Sequence, residues 1–307
     1  MIICFIIILL NGIIVSAESE PVEVHEWGVV VFGEFSAAAV AVPDPGLASF
    51  VADPDFGIDP ISVEAPVIFF HGAEFTGDFV VEVVNGSIFE IYPVDGMRTE
   101  WDSIRWPDIQ VFYPEEGTEY PDDLPAEFLL PYEVVSNWRT LECNSVRTSG
   151  GINEGFLYYE CFLDTPDFMK YPQLLAAGEG LPEGVDRVLI FLKPYDDIQE
   201  MYMVDPQSIF TPMETEEISV YDRSRMMSTL SSWNTAGLYT GELELLWDTW
   251  EDYVTAPSWE GDALVVFPLP QDMINRISSL EVLPDGEFEI TYGRFFLGMI
   301  PVSWSMN

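Results

Sequence analysis

The alternation of apolar and polar positions predicts mainly β structure from residue 22 to about residue 220. β-Branched and aromatic residues recur there with a period of two, as in strands that bury one face. Two such runs, 79–84 and 87–92, flank Asn85-Gly86 and predict a hairpin, because Asn-Gly favours a two-residue turn. Further strands are predicted at 22–32, 62–70, 109–113, 187–192, 200–204 and 218–221.

The period changes to that of helices after residue 221, where residues 223–233 and 240–254 predict two helices. Strands return at 263–267 and 287–299. This order predicts an α+β fold, with a β-sandwich-like, mostly antiparallel core and a helical pair in the C-terminal third. The segment 178–184 is a candidate boundary between a β-rich domain (18–180) and an α+β portion (181–307); the alternative is one continuous domain. The second helix has one apolar stripe, formed by Leu243, Leu246, Trp247, Trp250 and Val254.

An uncharged apolar leader precedes the rest of the chain. Residues 2–10 are almost wholly apolar, and Val15-Ser16-Ala17 supplies small residues before Glu18, the first charged side chain. This pattern predicts a signal peptide (1–17) and export to the periplasm, the cell surface or the extracellular space. The alternative is an N-terminal membrane anchor, although the run is shorter than the roughly 20 apolar residues of a spanning helix.

The body of the chain is strongly acidic, with 53 Asp and Glu against 11 Lys and Arg and a formal net charge of −42. Such a charge repels the phosphates of nucleic acids and of anionic lipids. The sequence therefore excludes nucleic acid and anionic membrane surfaces as partners and favours cations or cell-envelope components. It also lacks the glycine-rich loops that bind nucleotide phosphates, so no nucleotide cofactor is expected.

Two cysteines, Cys143 and Cys161, remain once the leader is removed. Residues 138–148 and 156–162 predict two strands joined by a glycine-rich loop, and this hairpin would place the cysteines at mirrored positions. Cysteines of exported proteins commonly pair. The sequence therefore predicts a disulfide between Cys143 and Cys161; the alternative is two separately buried thiols.

The two histidines, His25 and His71, both lie near the ends of predicted strands. Together with the carboxylates Glu26 and Glu64 they form a candidate metal-ligand set, because imidazole nitrogen and carboxylate oxygen both bind zinc. The alternative is that each histidine is simply hydrogen-bonded, since no spacing such as HExxH is found. A divalent cation, zinc or calcium, is the candidate cofactor.

Carboxylates that could act in pairs are numerous, and their number makes any one pair poorly distinctive. Glycosidases need two acids about 5–10 Å apart, and Glu100 with Asp102 or Asp248 with Glu251 could provide them. The second pair falls on the predicted solvent face of a helix. Residues 53–59 form an acidic loop that could bind calcium, but isoleucine occupies the position where the helical-hand pattern needs glycine.

Two segments, His25-Glu26-Trp27-Gly28 and Glu64-Ala65-Pro66-Val67-Ile68-Phe69-Phe70, resemble a family of uncharacterised exported bacterial proteins. Members of that family have a His-Glu-Trp-Gly-Thr-Phe opening segment and a Glu-Thr-Pro-Val-Leu-Tyr-Phe-like strand, so this chain departs at Val29-Val30 and Ala65. The similarity extends over most of the mature chain, to Gly293-Arg294. The resemblance implies an exported, β-rich fold and carries over no activity and no catalytic residue.

Two functions from different classes follow. The first is an exported acidic binding or structural protein of unidentified ligand, without a catalytic site that the sequence reveals; it predicts that His25, Glu26 and Glu64 are buried and hydrogen-bonded, with no deep polar pocket between them. The second is an extracytoplasmic hydrolase, metal-assisted or based on two carboxylates. In its metal-assisted form it predicts that these residues and His71 converge within ligand distance around an open cleft.

Overall fold

The fold is that of a computed structural model, which describes residues 20–32, 61–125, 130–163, 185, 188–195, 198–204, 219–255, 259 and 263–302. The predicted signal peptide, the acidic loop 53–59 and the candidate boundary at 178–184 lie outside these residues. No helix within the described ranges combines the length and apolar character needed to cross a membrane.

The described chain is mostly β, and its two largely antiparallel sheets and four helices agree with the predicted α+β class. The large sheet has, in spatial order, β12 (Ser219–Val220), β11 (Ile198–Val204), β10 (Val188–Tyr195), β13 (Ala263–Pro268), β15 (Ile290–Val302), β1 (Val22–Val31), β2 (Ile61–Gly72), β9 (Leu157–Leu163) and β4 (Gly86–Tyr92). The small sheet has β14 (Ser278–Pro284), β3 (Phe75–Val83), β6 (Ser103–Phe112), β7 (Ser145–Arg147) and β8 (Asn153–Glu154), with β5 (Met97–Arg98) paired to β6.

β1 lies between β2 and β15 in the large sheet. It pairs antiparallel with β2 and parallel with β15, and every other strand pair of the described chain is antiparallel. On the β2 side of the sheet the strands come from before residue 164, whereas on the β15 side they come from after residue 187. Strands from both sides of the candidate domain boundary are therefore hydrogen-bonded within one sheet.

Four helices are described: α1 (Tyr132–Trp138), α2 (Arg223–Trp233), α3 (Thr240–Thr255) and α4 (Gln271–Ile277). α2 and α3 coincide with the two helices predicted from periodicity. Asp222 caps α2, since its Oδ1 accepts hydrogen bonds from the backbone N–H groups of Ser224 and Arg225. Four of the five apolar stripe residues predicted in α3 are buried, and Trp250 is partly buried.

Two apolar cores lie on opposite faces of the large sheet, as the alternation along β1 shows. Val22 and Val24 belong to the first core, which also contains side chains of the small sheet and of α4. Trp27 and Val29 belong to the second core, which also contains side chains of α1, α2 and α3. We call these the inter-sheet core and the helix-side core.

The Asn85-Gly86 turn exists, but the hairpin predicted around it does not. Asn85 has φ +51, as expected of a turn residue. β3, however, pairs with β6 and β14 in the small sheet, whereas β4 pairs with β9 in the large sheet. The turn therefore passes the chain from one sheet to the other, because the burial of each strand against distant partners overrides local pairing.

The disulfide predicted between Cys143 and Cys161 is not seen in this structure, in which both residues are free thiols. The hairpin expected around them is short: β7 pairs with β8, and the chain then enters β9 of the large sheet. Cys161 consequently lies in the inter-sheet core, while Cys143 packs against the helix-side core. The large sheet separates the two thiols.

Candidate metal centre

His25 and His71 meet in the structure, and their third partner is Glu242 of α3. His25 comes from β1 and His71 from β2, and both side chains are on the helix-covered face of the large sheet. Glu26 and Glu64, which the sequence grouped with the histidines, are not part of this cluster. We call His25, His71 and Glu242 the His-His-Glu cluster.

The spacing within the His-His-Glu cluster is close to that of ligands around one ion. Nδ1 of His25 lies 2.8 Å from Oε2 and 3.0 Å from Oε1 of Glu242, and Nε2 of His71 lies 3.2 Å from Oε1. One ligand atom from each residue lies within 4.8 Å of the others. Ligand atoms bound to one tetrahedral zinc ion at about 2.1 Å are about 3.4 Å apart. A small shift of these side chains would therefore accommodate a metal ion.

Strand register brings the two histidines to the same place. His25 pairs with Phe69 of β2, so His71 lies one diagonal step away on the same face. On the other side of β1, His25 pairs with Gly293 of β15. A Cβ at position 293 would lie 2.8 Å from the carbonyl oxygen of Ala236 and 3.0 Å from Cδ2 of His25. Glycine is therefore what allows the imidazole and the chain before α3 to approach β15 this closely.

Glu242 is positioned by the start of α3. It is the third residue of that helix, and its Oε2 accepts a hydrogen bond of 2.6 Å from the backbone N–H of Tyr239. This is the carboxylate half of a capping box, and a negative charge is favoured at a helix N-terminus. The helix start therefore aims the carboxylate at the two imidazoles.

The carboxylate of Glu242 is fully buried yet ionised. Burial alone would raise its pKa, but the hydrogen bonds from His25 and His71, and the one from the backbone of Tyr239, outweigh burial and lower that pKa below the usual glutamate value. A buried anion surrounded by imidazole groups is well suited to a cation, because the ion would supply the positive charge that the site lacks.

Tyr239 and Glu23 lie on the solvent side of the His-His-Glu cluster. The Tyr239 ring centroid lies 5.0 Å from that of His25 and 4.7 Å from that of His71. Its hydroxyl donates a hydrogen bond of 2.7 Å to Oε2 of Glu23, and this bond raises the pKa of Tyr239 to about 12. Tyr239 is 47 % exposed, whereas the side chains of His25 and His71 are only 7 % and 8 % exposed. The tyrosine ring therefore shields the imidazoles from water.

Glu26 points to the opposite face of β1, into the inter-sheet core. Its Oε2 accepts a hydrogen bond of 2.5 Å from Nε of Arg294, and its Oε1 accepts one of 2.8 Å from the hydroxyl of Tyr159. Arg294 also donates to the carbonyl and the hydroxyl of Ser278. Glu26 is thus half of a buried ion pair between β1 and β15 of the large sheet, and Arg294 also ties this pair to Ser278 of the small sheet.

Glu64 lies with Glu90 and Glu160 at another place on the large sheet. Glu160 is 4 % exposed and accepts a long hydrogen bond of 3.4 Å from the backbone N–H of Ala65. Burial, together with the negative charges of Glu64 and Glu90, raises the pKa of Glu160 to about 7, although a hydrogen bond from Tyr158 opposes the shift. Glu64, which the sequence suggested as a metal ligand, therefore belongs to a cluster of carboxylates that contains no histidine.

The raised pKa of Glu160 makes folding stability depend on pH. The folded-state pKa of about 7 lies above the ordinary value of 4.5, so the stabilising effect of the neutral form is complete below pH 4.5 and is lost as the pH rises through 7. We expect wild type to lose about 1–3 kcal/mol relative to Glu160→Gln between pH 5 and pH 8. Urea unfolding of both proteins across this range measures the difference; a constant difference would contradict the shift.

The other carboxylate pairs proposed from the sequence are at the surface. Glu100 is exposed beside Trp101, whose side chain is 83 % exposed. Asp248 and Glu251 both form ion pairs with Arg223 of α2, and their side chains are partly exposed. Within the residues that the structure describes, the His-His-Glu cluster is the one group of three side chains with metal-ligand spacing.

Comparison with known proteins adds no family and no relative. No protein-family model matches the sequence, and no curated protein or solved structure is significantly similar to it. Function must therefore be argued from the geometry of the site.

Sequence reasoning found both histidines of the cluster but missed its carboxylate. Glu242 is 217 residues from His25 and 171 from His71, and it is one of 53 acidic residues. The one local signal is its place in the first turn of a predicted helix, where glutamate is common for reasons of capping alone.

Proposed function

We propose that this protein binds a divalent transition-metal ion through His25, His71 and Glu242. The convergence of these three side chains from β1, β2 and α3 is the observation that supports the proposal. Two imidazoles and one carboxylate suit zinc, and also iron(II) and related first-row ions, better than calcium, which prefers six to eight oxygen ligands. Zinc is the ion used in the binding tests below.

Burial of the ligands supports a binding or structural role over hydrolysis. A hydrolytic zinc ion keeps a coordination position open to substrate and water. Here Glu242 is 0 % exposed, and the Tyr239 ring stands between the imidazoles and the solvent. The proposed function is therefore metal binding by an exported acidic protein, with the metal-assisted hydrolase as the alternative that an accessible ion would favour.

The proposed setting of the metal centre is a β-sandwich with a helical pair on one side. Side chains of both sheets form the inter-sheet core, which supports the sandwich. Side chains of α2 and α3 both enter the helix-side core, which supports the helical pair. In this arrangement the ion would join the start of α3 to β1 and β2. It would thus fasten a helix to the sheet.

Metal titration of the purified chain tests the proposal. After treatment with a chelator and dialysis, the protein is expected to bind one zinc ion, measured by calorimetry and by elemental analysis. His71→Ala and His25→Gln should each weaken binding by more than about 100-fold, because loss of an outer-shell group alone costs 10–100-fold. Together, the two variants test whether both imidazoles bind the same ion.

Glu64→Gln is the matched control. Glu64 was an equally good candidate for a metal ligand by sequence, but it lies in the carboxylate cluster with Glu90 and Glu160. It should bind zinc as wild type does. Failure of wild type to bind zinc, cobalt(II) or iron(II), or unchanged binding by folded His71→Ala, would refute the proposed function.

A further inference from the structure

The two imidazoles and one carboxylate leave the proposed ion incompletely neutralised. Neutral imidazoles and one carboxylate around a divalent cation give a net charge of +1 in a site whose ligands are almost fully buried. A buried, uncompensated charge is costly, so a second carboxylate would be strongly favoured. Structural zinc sites also have four protein ligands, whereas catalytic sites usually have three.

Glu23 is placed to provide that second carboxylate. It lies two residues before His25 on β1, so both side chains project from the same face of the sheet. It also pairs directly with His71 across β1 and β2, which puts the two Cβ atoms about 5 Å apart. Its Oε2 lies 3.9 Å from Nε2 of His25, whereas Nδ1 is the nitrogen of that ring that faces Glu242. Strand register therefore groups Glu23 with both histidine ligands.

Glu23 would bind the ion after a rotation of its side chain, which lies at the edge of the cluster. Its side chain is 31 % exposed, and the one hydrogen bond described for its carboxylate comes from the hydroxyl of Tyr239. A carboxylate has two oxygens, so one can bind a metal while the other keeps an outer-shell hydrogen bond. Tyr239, whose ring contacts both imidazoles, would hold Glu23 over the site in this way.

We propose that Glu23 is the fourth protein ligand of the metal ion, and that it closes the coordination sphere. This inference rests on the proposed function. With four protein ligands, the ion has no open coordination position for a substrate. The site would then serve to bind the ion itself or to hold α3 against the sheet. The hydroxyl of Tyr239 is then a positioning group for Glu23.

Cobalt(II) replacing zinc provides a direct test, because its visible absorption reports coordination number. Wild type with four protein ligands is expected to give the intense spectrum of a tetrahedral site, and added azide should leave that spectrum unchanged. Glu23→Gln should bind cobalt and zinc more than about 100-fold more weakly, because loss of an outer-shell group alone costs 10–100-fold. Its cobalt spectrum should be weaker, and azide should alter it, because the lost ligand opens a position for small molecules.

Glu20→Gln is the matched control for charge. Glu20 is exposed and close enough to Tyr239 to affect its titration, so its replacement removes a nearby negative charge without removing the proposed ligand. It should leave the cobalt spectrum unchanged and weaken binding less than threefold. Equal weakening by both variants, with no spectral change in Glu23→Gln, would show that Glu23 acts only as a charge and would overturn the inference.

The outcomes separate this inference from the proposed function. If wild type binds cobalt, folded His71→Ala does not, and Glu23→Gln has the wild-type affinity and spectrum, then the His-His-Glu centre stands and the role of Glu23 is refuted. If azide alters the wild-type spectrum, the site is open and the inference is likewise refuted. If wild type binds no transition metal, both proposals fall.

Discussion

Replacement of Arg294 by methionine is expected to destabilise the protein by about 3–5 kcal/mol, the usual cost of leaving one partner of a buried ion pair alone. Arg294 is 6 % exposed, and Glu26 opposite it is 0 % exposed. Without the guanidinium, Glu26 keeps only the hydrogen bond from Tyr159 among its described partners, and Ser278 loses two donors. Urea unfolding at neutral pH measures the loss.

The double variant Glu26→Gln with Arg294→Met isolates the charge effect. It removes the unpaired anion while keeping a side chain that can bond with Tyr159, so it should be more stable than Arg294→Met alone. Arg105→Met is a surface control: Arg105 pairs with Asp78 but is 47 % exposed, and its loss should cost less than about 1 kcal/mol. A double variant that is less stable than Arg294→Met would contradict the importance of the buried charge.

Replacement of Glu242 by glutamine is expected to abolish the stabilisation that zinc gives to the folded protein. At a free zinc concentration 100 times the dissociation constant, wild type should gain about 2.7 kcal/mol. Glutamine has nearly the same shape but no charge, and we expect zinc affinity to fall by more than about 100-fold. The variant should then gain less than about 0.4 kcal/mol at the same zinc concentration. Chemical unfolding with and without zinc measures both values.

Glu244→Gln is the control on the same helix. Glu244 is exposed two residues further along α3, so its replacement removes an equal charge without touching the cluster. It should retain the full zinc effect. If Glu242→Gln is stabilised by zinc as much as wild type is, Glu242 is not a ligand. If zinc stabilises neither protein, the cluster is a hydrogen-bond network that joins α3 to the sheet, and the proposed function fails.

The elements that sequence predicted well are those with a sustained local period. α2 and α3 were predicted at nearly their observed bounds, because their apolar residues recur at helical spacing. α1 was missed, and residues 138–148 were predicted as a strand. That helix has seven residues, and only Val135 and Trp138 of it are buried. So short a segment has little periodic signal of its own, and packing in the helix-side core decides its conformation.

Pairing between strands was less predictable than the strands themselves. The Asn85-Gly86 turn was predicted from its residues, but the partners of β3 and β4 are chosen by two different sheets. The same reason explains the cysteines, since β9 leaves the local hairpin to pair with β2 and β4. Long-range burial selects these partners, and an alternating pattern of residues does not encode it.

The candidate site was half predictable, for a related reason. Histidine is rare in this chain, so His25 and His71 stood out and were correctly considered together. Acidic residues are abundant, so the choice of Glu26 and Glu64 relied on closeness in sequence. Glu26 is adjacent to His25, yet alternation along a strand sends neighbours to opposite faces. Only the docking of α3 brings Glu242 to the histidines.

His25 and Glu26 together affect the pairing register of β1. Each is buried, each is polar, and each has partners on one face of the sheet only. A slip of one residue would exchange the faces, placing an imidazole opposite Arg294 and a carboxylate beside Glu242. Both errors bring together like charges or unmatched groups, so the misaligned strand is penalised twice. The His25-Glu26 dipeptide therefore helps to fix the register of β1, independently of any ion that the protein binds.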